Sequence, residues 1–486
     1  MNLTIEQFLI KKNANIADAL LVIDKNAHGI CFVVDEDEKL FGIITDGDIR
    51  RSFLKGEGLE TKISTIINSS FISLSVDLSA EQVNQALNEK IKCIPLVDDN
   101  NKVVDYASHS RARQIPIMQP SLAGNELNYV TECVRTGWIS SQGSFVKKFE
   151  SMFADYCQVP YALAVSNGTT ALHLALACLH IGPGDEVIVP DYTFAASINA
   201  VIYTGATPVL VDVDRESWTM DIESLKLAIT ENTRAIMPVH IYGQPCNMNE
   251  IMAIAKQKNI LIVEDCAEAL GSFYNGKHVG SFGEVGTFSF FGNKTITTGE
   301  GGMLTFKNKE IYELAAVMRD HGMSKQKRYW HDMVGFNYRM TNLQAAIGVA
   351  QMERIDGILK SKRHLAEVYS STLKDITGIQ LHGEQEGTKN SFWLYTILIN
   401  SQFGISRNEL IDRLKKNGIE ARPAFFPLHQ MPVYSSYTRN GKFNNSLYIS
   451  DNGLSLPSFT DITYEEQQAV LDAIEKVYAI KLFQKN

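Results

Sequence analysis

The chain has 486 residues, 45% hydrophobic and 21% charged, with a formal net charge of −9. That length calls for roughly two to four domains with large buried cores. The charges are spread without a basic block, which argues against nucleic-acid binding, and no run approaches the roughly 18–20 apolar residues of a membrane span. The start, MNLTIEQFLIKKNANI, carries charges where a signal peptide needs an apolar run. Seven cysteines, never in a C-x-x-C pair, read as reduced thiols used in packing, so the expectation is a cytoplasmic protein.

The first hundred or so residues hold an internal repeat, brought into register by sliding the chain 63 positions. His28 to Asp35 then overlies Ile91 to Asp98, Lys39 falls on Lys102, and Thr45 on Ser108. Each copy reads as a helix, an apolar strand, an acidic turn and a second strand. The turns are Asp35-Glu36-Asp37-Glu38 and Asp98-Asp99-Asn100-Asn101. A unit that cannot bury its own sheet, present twice, implies a paired module. The repeat resembles a tandem cystathionine-β-synthase-type (CBS) domain pair, which implies an adenine-nucleotide sensor over residues 1–113. The first copy keeps that family's Gly42-Ile43-Ile44-Thr45-x-x-Asp48 pattern, so by resemblance Thr45 faces phosphate and Asp48 the ribose. The second copy departs from it, with Asp105, Ser108 and Arg111 at the matching positions. The resemblance therefore allows one nucleotide site at most, and a docking or assembly module without ligand stays open. Two prolines near Ile115-Pro116-Ile117-Met118-Gln119-Pro120 make 114–120 a linker or an edge strand.

Beyond the linker, strands and helices alternate. Ala162–Val165, Glu186–Pro190, Thr207–Val213, Ala235–Val239 and Ile260–Val263 read as strands, and Thr170–His180 and Met248–Lys258 as helices. Such alternation marks an α/β fold with a largely parallel sheet, whose ligands belong at the carboxyl ends of the strands. Asp191, His240 and Asp265 fall at such ends. Ser166-Asn167-Gly168-Thr169-Thr170 is a glycine turn opening a helix, which suits a phosphate but also describes an ordinary cap.

The segment Val263 to Phe306 carries the chemistry. A strand ends in Glu264-Asp265, and about thirty residues later Lys294 follows Ser289-Phe290-Phe291-Gly292-Asn293. A buried carboxylate and an isolated lysine at that separation suit pyridoxal 5′-phosphate (PLP). The lysine binds the cofactor covalently and the carboxylate keeps its pyridine nitrogen protonated. Gly299-Glu300-Gly301-Gly302 lacks dinucleotide-fingerprint spacing, and neither Asp46-Gly47-Asp48 nor His321 and His331 show metal spacing, so no metal is expected.

With Gly137-Trp138-Ile139-Ser140-Ser141, Pro190 to Phe194, Glu264 to Gly271, Gly335 to Met340 and Arg422 to His429, these motifs resemble the sugar-nucleotide aminotransferases of fold-type I. The likeness runs in the family's order over roughly residues 115 to 480. It implies a large PLP-binding domain over 121–365 and a small α+β domain over 366–486. It further implies that Lys294 and Asp265 are catalytic, and that Gly168, Thr169, Ser289 and Asn337 hold the cofactor phosphate. Phe194 would stack on the ring, and Glu268 stands where many relatives have Gln or His. Trp138, His240, Tyr338, Arg339 and His429 are candidates for substrate contact. The implied reaction moves the amino group of L-glutamate to the C4 ketone of a nucleotide-linked 4-keto-6-deoxyhexose, in a homodimer or larger assembly whose Asn337 loop reaches the neighbouring site. A GDP-linked 4-keto-6-deoxymannose is favoured. A UDP-linked 4-keto-6-deoxy-HexNAc, or a nucleotide-sensing regulator with a vestigial enzyme body, stays open.

Overall fold

A computed structural model describes residues 4–78, 80–88, 90–108, 115–439 and 441–484. Arg111 and Gln114, which the sequence reading invoked, lie outside them. The chain divides into two compact units, Met1–Ile115 with Lys416–Gly418, and Pro116–Lys415 with Ile419–Asn486.

In the first unit, β1 (Leu9–Lys11), α1 (Ile16–Asn26), β2 (Ile30–Val34), β3 (Leu40–Thr45) and α2 (Asp46–Leu54) make one copy of the repeat. β4 (Leu74–Ser75), α3 (Ala80–Ala86), β5 (Cys93–Val97) and β6 (Val103–Ser108) make the other. Each copy is a three-stranded sheet with one parallel and one antiparallel pair, in the orders β1-β2-β3 and β4-β5-β6. The hairpin turns match atom for atom. Asp35 Oδ1 accepts the N–H groups of Asp37 and Lys39, and Asp98 Oδ1 those of Asn100 and Lys102, each at 2.9 Å. Glu38 and Asn101 close the two turns with φ of 65° and 62°. The Asx-type bonds offset part of the cost of that left-handed backbone, which is larger for Glu than for Asn. Neither sheet buries its inner face alone: Phe8, Phe32, Val34 and Leu40 share one apolar cluster with Cys93, Val103 and Tyr106.

The second unit begins with α4 (Glu126–Thr136) and α5 (Ser144–Cys157), followed by β7 (Tyr161–Val165), α6 (Gly168–Cys178), β8 (Glu186–Pro190) and α7 (Ala196–Tyr203). Next come β9 (Thr207–Val211), α8 (Ile222–Ala228), β10 (Thr233–Ile236), α9 (Met248–Lys258) and β11 (Leu261–Asp265). The hairpin β12 (Phe273–Tyr274) and β13 (Lys277–His278) leads to β14 (Val285–Ser289) and β15 (Gly302–Phe306). The seven long strands form one sheet in the order β7-β15-β14-β11-β10-β8-β9. Its pairs are parallel except those of β15, which runs against both neighbours. β8, β14 and β15 are buried nearly end to end, as a sheet covered on both faces requires. One apolar cluster sets α6, α7 and α10 (Lys309–Arg319) on this sheet, and another sets α5, α11 (Asn342–Met352) and the start of α12 (Ile355–Leu373) on it. Because β15 alone is reversed, the carboxyl ends of β7, β8, β11 and β14 share one edge. Asp191, Asp265, Ser289 and the start of α6 come from that edge.

Two expected boundaries shift. Ile117, inside the supposed linker, is buried in a cluster with Tyr192, Trp218 and Trp393, and its N–H donates to Glu420 Oε2 at 3.0 Å. The division at 365/366 falls within α12, which runs on to Leu373. Beyond it lies a small four-stranded antiparallel sheet, built from β16 (Ile379–Leu381), β18 (Tyr395–Ile399), β19 (Arg422–Pro423) and β20 (Gly453–Leu456). All seven cysteines are buried, and none is in a disulfide. No helix among the described residues is long and apolar enough to cross a membrane.

Candidate active site

Asp265 is the last residue of β11 and only 4% exposed. Burial pushes its carboxyl up, while hydrogen bonds from Ser197 and Ala267 and the charge of Lys294 pull it down. Ser197 Oγ donates to Oδ2 at 2.8 Å and the Ala267 N–H to Oδ1 at 3.1 Å. Ser197 is itself fully buried and lies 3.0 Å from the Thr193 hydroxyl, so the turn after β8 and the first turn of α7 together orient the carboxylate. Sequence reading missed Ser197. Its sequence signal is a small hydroxyl residue three positions after Phe194, too common to single out.

Lys294 Nζ lies 3.5 Å from Glu268 Oε1 and 3.8 Å from the centroid of the Trp393 ring. The Trp393 indole N–H donates to the Asn293 carbonyl at 2.7 Å, tying the lysine turn to the small domain. Glu268 is buried, and its Oε2 accepts the Tyr242 N–H at 2.9 Å. Burial drives the Glu268 carboxyl up to about 7, against the opposing pull of Lys294. Trp393 and Tyr242 were invisible in sequence, because each meets its partner only through long-range packing.

The start of α6 has a distinct origin. Asn167 caps α6 in a capping box: its Oδ1 takes the Thr170 N–H at 2.9 Å, and its carbonyl takes the Ala171 N–H. Among the described residues, no acceptor for the N–H groups of Gly168 and Thr169 is present, and these lie at the positive end of the helix dipole. A Cβ on Gly168 would stand 2.8 Å from Ser289 Cβ, so only glycine lets the hydroxyl of Ser289 lie against this helix start. A helix terminus, a hydroxyl, a buried carboxylate and a lysine on one sheet edge fit PLP in chemistry and in number. Phe194, on the same edge, is 60% exposed and lies 6.1 Å from Phe425.

Other expected residues are placed differently. His240 is fully buried, which removes it from substrate contact. Its Nδ1 accepts the Cys246 N–H at 3.0 Å, so its proton sits on Nε2, 3.3 Å from Glu264 Oε2. Burial alone would push the Glu264 carboxyl up. His240 and the N–H groups of Gly280 and Gly283 outweigh it and hold the carboxyl below its usual range. His240, Glu264 and Cys266 converge closely enough to suggest a metal site, but Glu264 already accepts three backbone N–H groups there. The pair is a buried brace beneath Asp265. Arg339 spends its guanidinium on Asp320 at 2.8 Å and on Asn337 Oδ1 at 2.9 and 3.2 Å. Tyr338 OH meets His173 Nδ1 at 3.0 Å. Trp138 is exposed and lies on the loop anchored by Asn342, whose side chain donates to its carbonyl at 2.6 Å. His429 bonds to Asp191, with Nδ1 2.7 Å from Oδ2.

In the first unit, Thr45 and Asp48 form the capping box of α2. Asp48 Oδ2 accepts the Thr45 N–H at 2.9 Å and the Thr45 hydroxyl at 2.7 Å, and Oδ1 pairs with Arg51 at 2.6 Å. Both residues are therefore engaged locally, whatever else they bind.

The profile of the DegT/DnrJ/EryC1/StrS aminotransferase family matches residues 120–475, and that of the CBS domain residues 6–55, the first copy of the repeat. The chain is 46% identical to a GDP-perosamine synthase of Escherichia coli O157:H7 over 372 residues, 76% of this chain and 100% of that protein. It is also 46% identical to that of Caulobacter vibrioides over 370 residues, 75% and 98% of the two chains. Among solved structures, the PLP form of a sugar aminotransferase described as putative, Spr1654 from Streptococcus pneumoniae, superposes with TM-score 0.71 at 29% identity. That match covers 75% of this chain and 99% of the other. DesV from S. venezuelae, in complex with a ketimine intermediate, gives 0.69 at 32% identity over 73% and 94%.

Proposed function

Because the chain belongs to the DegT/DnrJ/EryC1/StrS aminotransferase family, we propose that it transfers the amino group of L-glutamate to the C4 ketone of GDP-4-keto-6-deoxymannose. The product would be GDP-perosamine, made in the cytoplasm for a surface polysaccharide. That it is a PLP-dependent sugar aminotransferase follows from the family and its relatives. The choice of sugar rests on one observation. Identity is 44–46% to three GDP-perosamine synthases over nearly their whole length, against 34% to the aminotransferase EpsN of Bacillus subtilis, which is described as putative.

When bound, PLP supplies an electron sink for the charge that develops as the donor Cα–H bond breaks. In this reading Lys294 carries the cofactor, and its Nζ then moves the proton from the donor Cα as general acid and base. Asp265 keeps the pyridine nitrogen protonated, a charge-assisted contact of roughly 1.5–3 kcal/mol. The N–H groups of Gly168 and Thr169, with Ser289 and Asn337, hold the phosphate, and Phe194 covers the ring and excludes water. Glu268 takes its place beside Lys294. Trp138, Tyr338, Arg339 and His429 contact the substrates, and Thr45 with Asp48 takes an adenine nucleotide. The asparagine loop completes the neighbouring site of a homodimer.

The test is a panel of GDP- and UDP-linked 4-keto-6-deoxy sugars with glutamate, read by product mass and 2-oxoglutarate release. The GDP-mannose derivative should turn over fastest. Preference for a UDP sugar would overturn the choice of substrate.

A further inference from the structure

Asp191 follows β8 on the same sheet edge as Asp265 and is fully buried. Its carboxylate is surrounded by donors. Oδ1 accepts the backbone N–H of His429 at 2.8 Å, and Oδ2 accepts the Ser446 hydroxyl at 2.6 Å and faces His429 Nδ1 at 2.7 Å. Burial pushes the carboxyl up, and Ser446 and His429 work against that. An ionised carboxylate only accepts, so His429 must carry its neutral-state proton on Nδ1 and leave a lone pair on Nε2. The ring is fixed in plane as well, stacked on Phe443 at 4.8 Å and 15°. Among the described residues Nε2 makes no hydrogen bond, and the side chain stays 20% exposed.

The segments bearing this pair are tied to the candidate active site through a chain of contacts. The Leu428 N–H donates to the Asp191 carbonyl at 2.9 Å. Between Asp191 and Phe194, the Tyr192 hydroxyl lies 3.3 Å from that of Tyr242, whose own N–H bonds Glu268. Phe425, four residues before His429, stacks on Tyr242 at 5.4 Å.

We propose that Asp191 is a positioning residue that locks His429 in the Nδ1–H tautomer, so that Nε2 accepts a hydrogen bond from a hydroxyl of the nucleotide-linked hexose. This rests on the sugar-aminotransferase reading for its ligand, but not for the tautomer. The Asp191→Asn substitution makes the logic visible. An amide presents one NH2 to a set of donors. At the Oδ1 position it would face the rigid backbone N–H of His429. At the Oδ2 position it faces the Ser446 hydroxyl, which can rotate, and Nδ1, which can give up its proton. The variant therefore settles with Asn donating to Nδ1 and the ring proton moved to Nε2, which turns the acceptor into a donor.

The experiment uses full-length holoenzyme with 15N-labelled histidine at mildly alkaline pH, with the His429 signals assigned by their loss in His429→Gln. Long-range 15N–1H spectra should show the Nδ1–H tautomer in the wild type and in Ser446→Ala, and the Nε2–H tautomer in Asp191→Asn. Single half-reactions should show Asp191→Asn slowed about tenfold or more with the nucleotide sugar, and little changed with glutamate. A wild-type Nε2–H tautomer overturns the proposal without any variant, and so does an equal fall in both half-reactions of a folded Asp191→Asn. Inactivity of the wild type on every nucleotide sugar would refute the substrate reading instead, leaving the spectra to decide the tautomer.

Discussion

Glu268 is a carboxyl that burial raises to about 7, held 3.5 Å from the amine of Lys294. Its folded value exceeds its ordinary one, so between about pH 4.5 and 7 the folded apoprotein binds more protons at this site than the unfolded chain. Stability from this group is therefore full at low pH and is lost as pH rises through about 7. Glu268→Gln should remove that loss, on the order of 1–3 kcal/mol, and flatten the melting temperature of the apoprotein between mildly acidic and mildly alkaline pH. An unchanged slope in the glutamine variant would show that another group sets it. At Lys294 the expectation is covalent. Borohydride should fix the cofactor to the wild-type chain and leave none on Lys294→Ala, as read by intact mass.

The elements explain what sequence can and cannot deliver. β8 and α9 stood out because apolar runs and helical spacing are local, and α9 fills its expected range, Met248–Lys258. α6 starts at Gly168, two residues early, since Asn167 rather than a later residue caps it. β9 stops at Val211, short of Val213, because Asp212 turns its carboxylate to the N–H groups of Asn445 and Ser446. Asp265, Lys294, Ser289 and Gly168 stood out as candidates because each sits in a run with its own local pattern. Ser197, Trp393 and the Asp191–His429 contact did not, since nothing local marks a partner 68, 100 or 238 residues away. His240 was misread for the same reason: a strand end on the ligand edge does not reveal whether the side chain points up to ligand or down into the brace. The α6 cradle gives a sharp check. Gly168→Ala forces a methyl to within 2.8 Å of Ser289 Cβ. Relief of such crowding costs about 1–3 kcal/mol, so PLP affinity should fall about tenfold, measured by quenching of protein fluorescence.

At the scale of the whole molecule, two units with separate cores predict separable behaviour. A chain beginning at Pro116 keeps Ile117 in its cluster and should fold, bind PLP and transaminate within about twofold of the full chain. Loss of fold in that shortened chain, followed by circular dichroism, would count against independence. A second expectation concerns assembly. If the Asn337 loop completes a neighbour's site, mixing Lys294→Ala with Asn337→Ala protomers should restore about a quarter of wild-type activity, because half of the dimers carry one undamaged site. No recovery after verified subunit exchange would confine each site to one chain.

The reversed strand β15 has a further consequence, for the order in which the protein is made. Among the described residues β7 pairs in the sheet with β15 alone, Val165 meeting Gly302 and Tyr161 meeting Phe306. The growing polypeptide thus exposes β7, and the start of α6 that follows it, until the ribosome has delivered the strand beyond the lysine turn. Contacts so distant in sequence form slowly, whereas the repeat at the amino terminus closes on near neighbours. During synthesis both copies of the repeat are made while the catalytic sheet is still an open edge, and that interval is when the nascent enzyme most needs protection from aggregation.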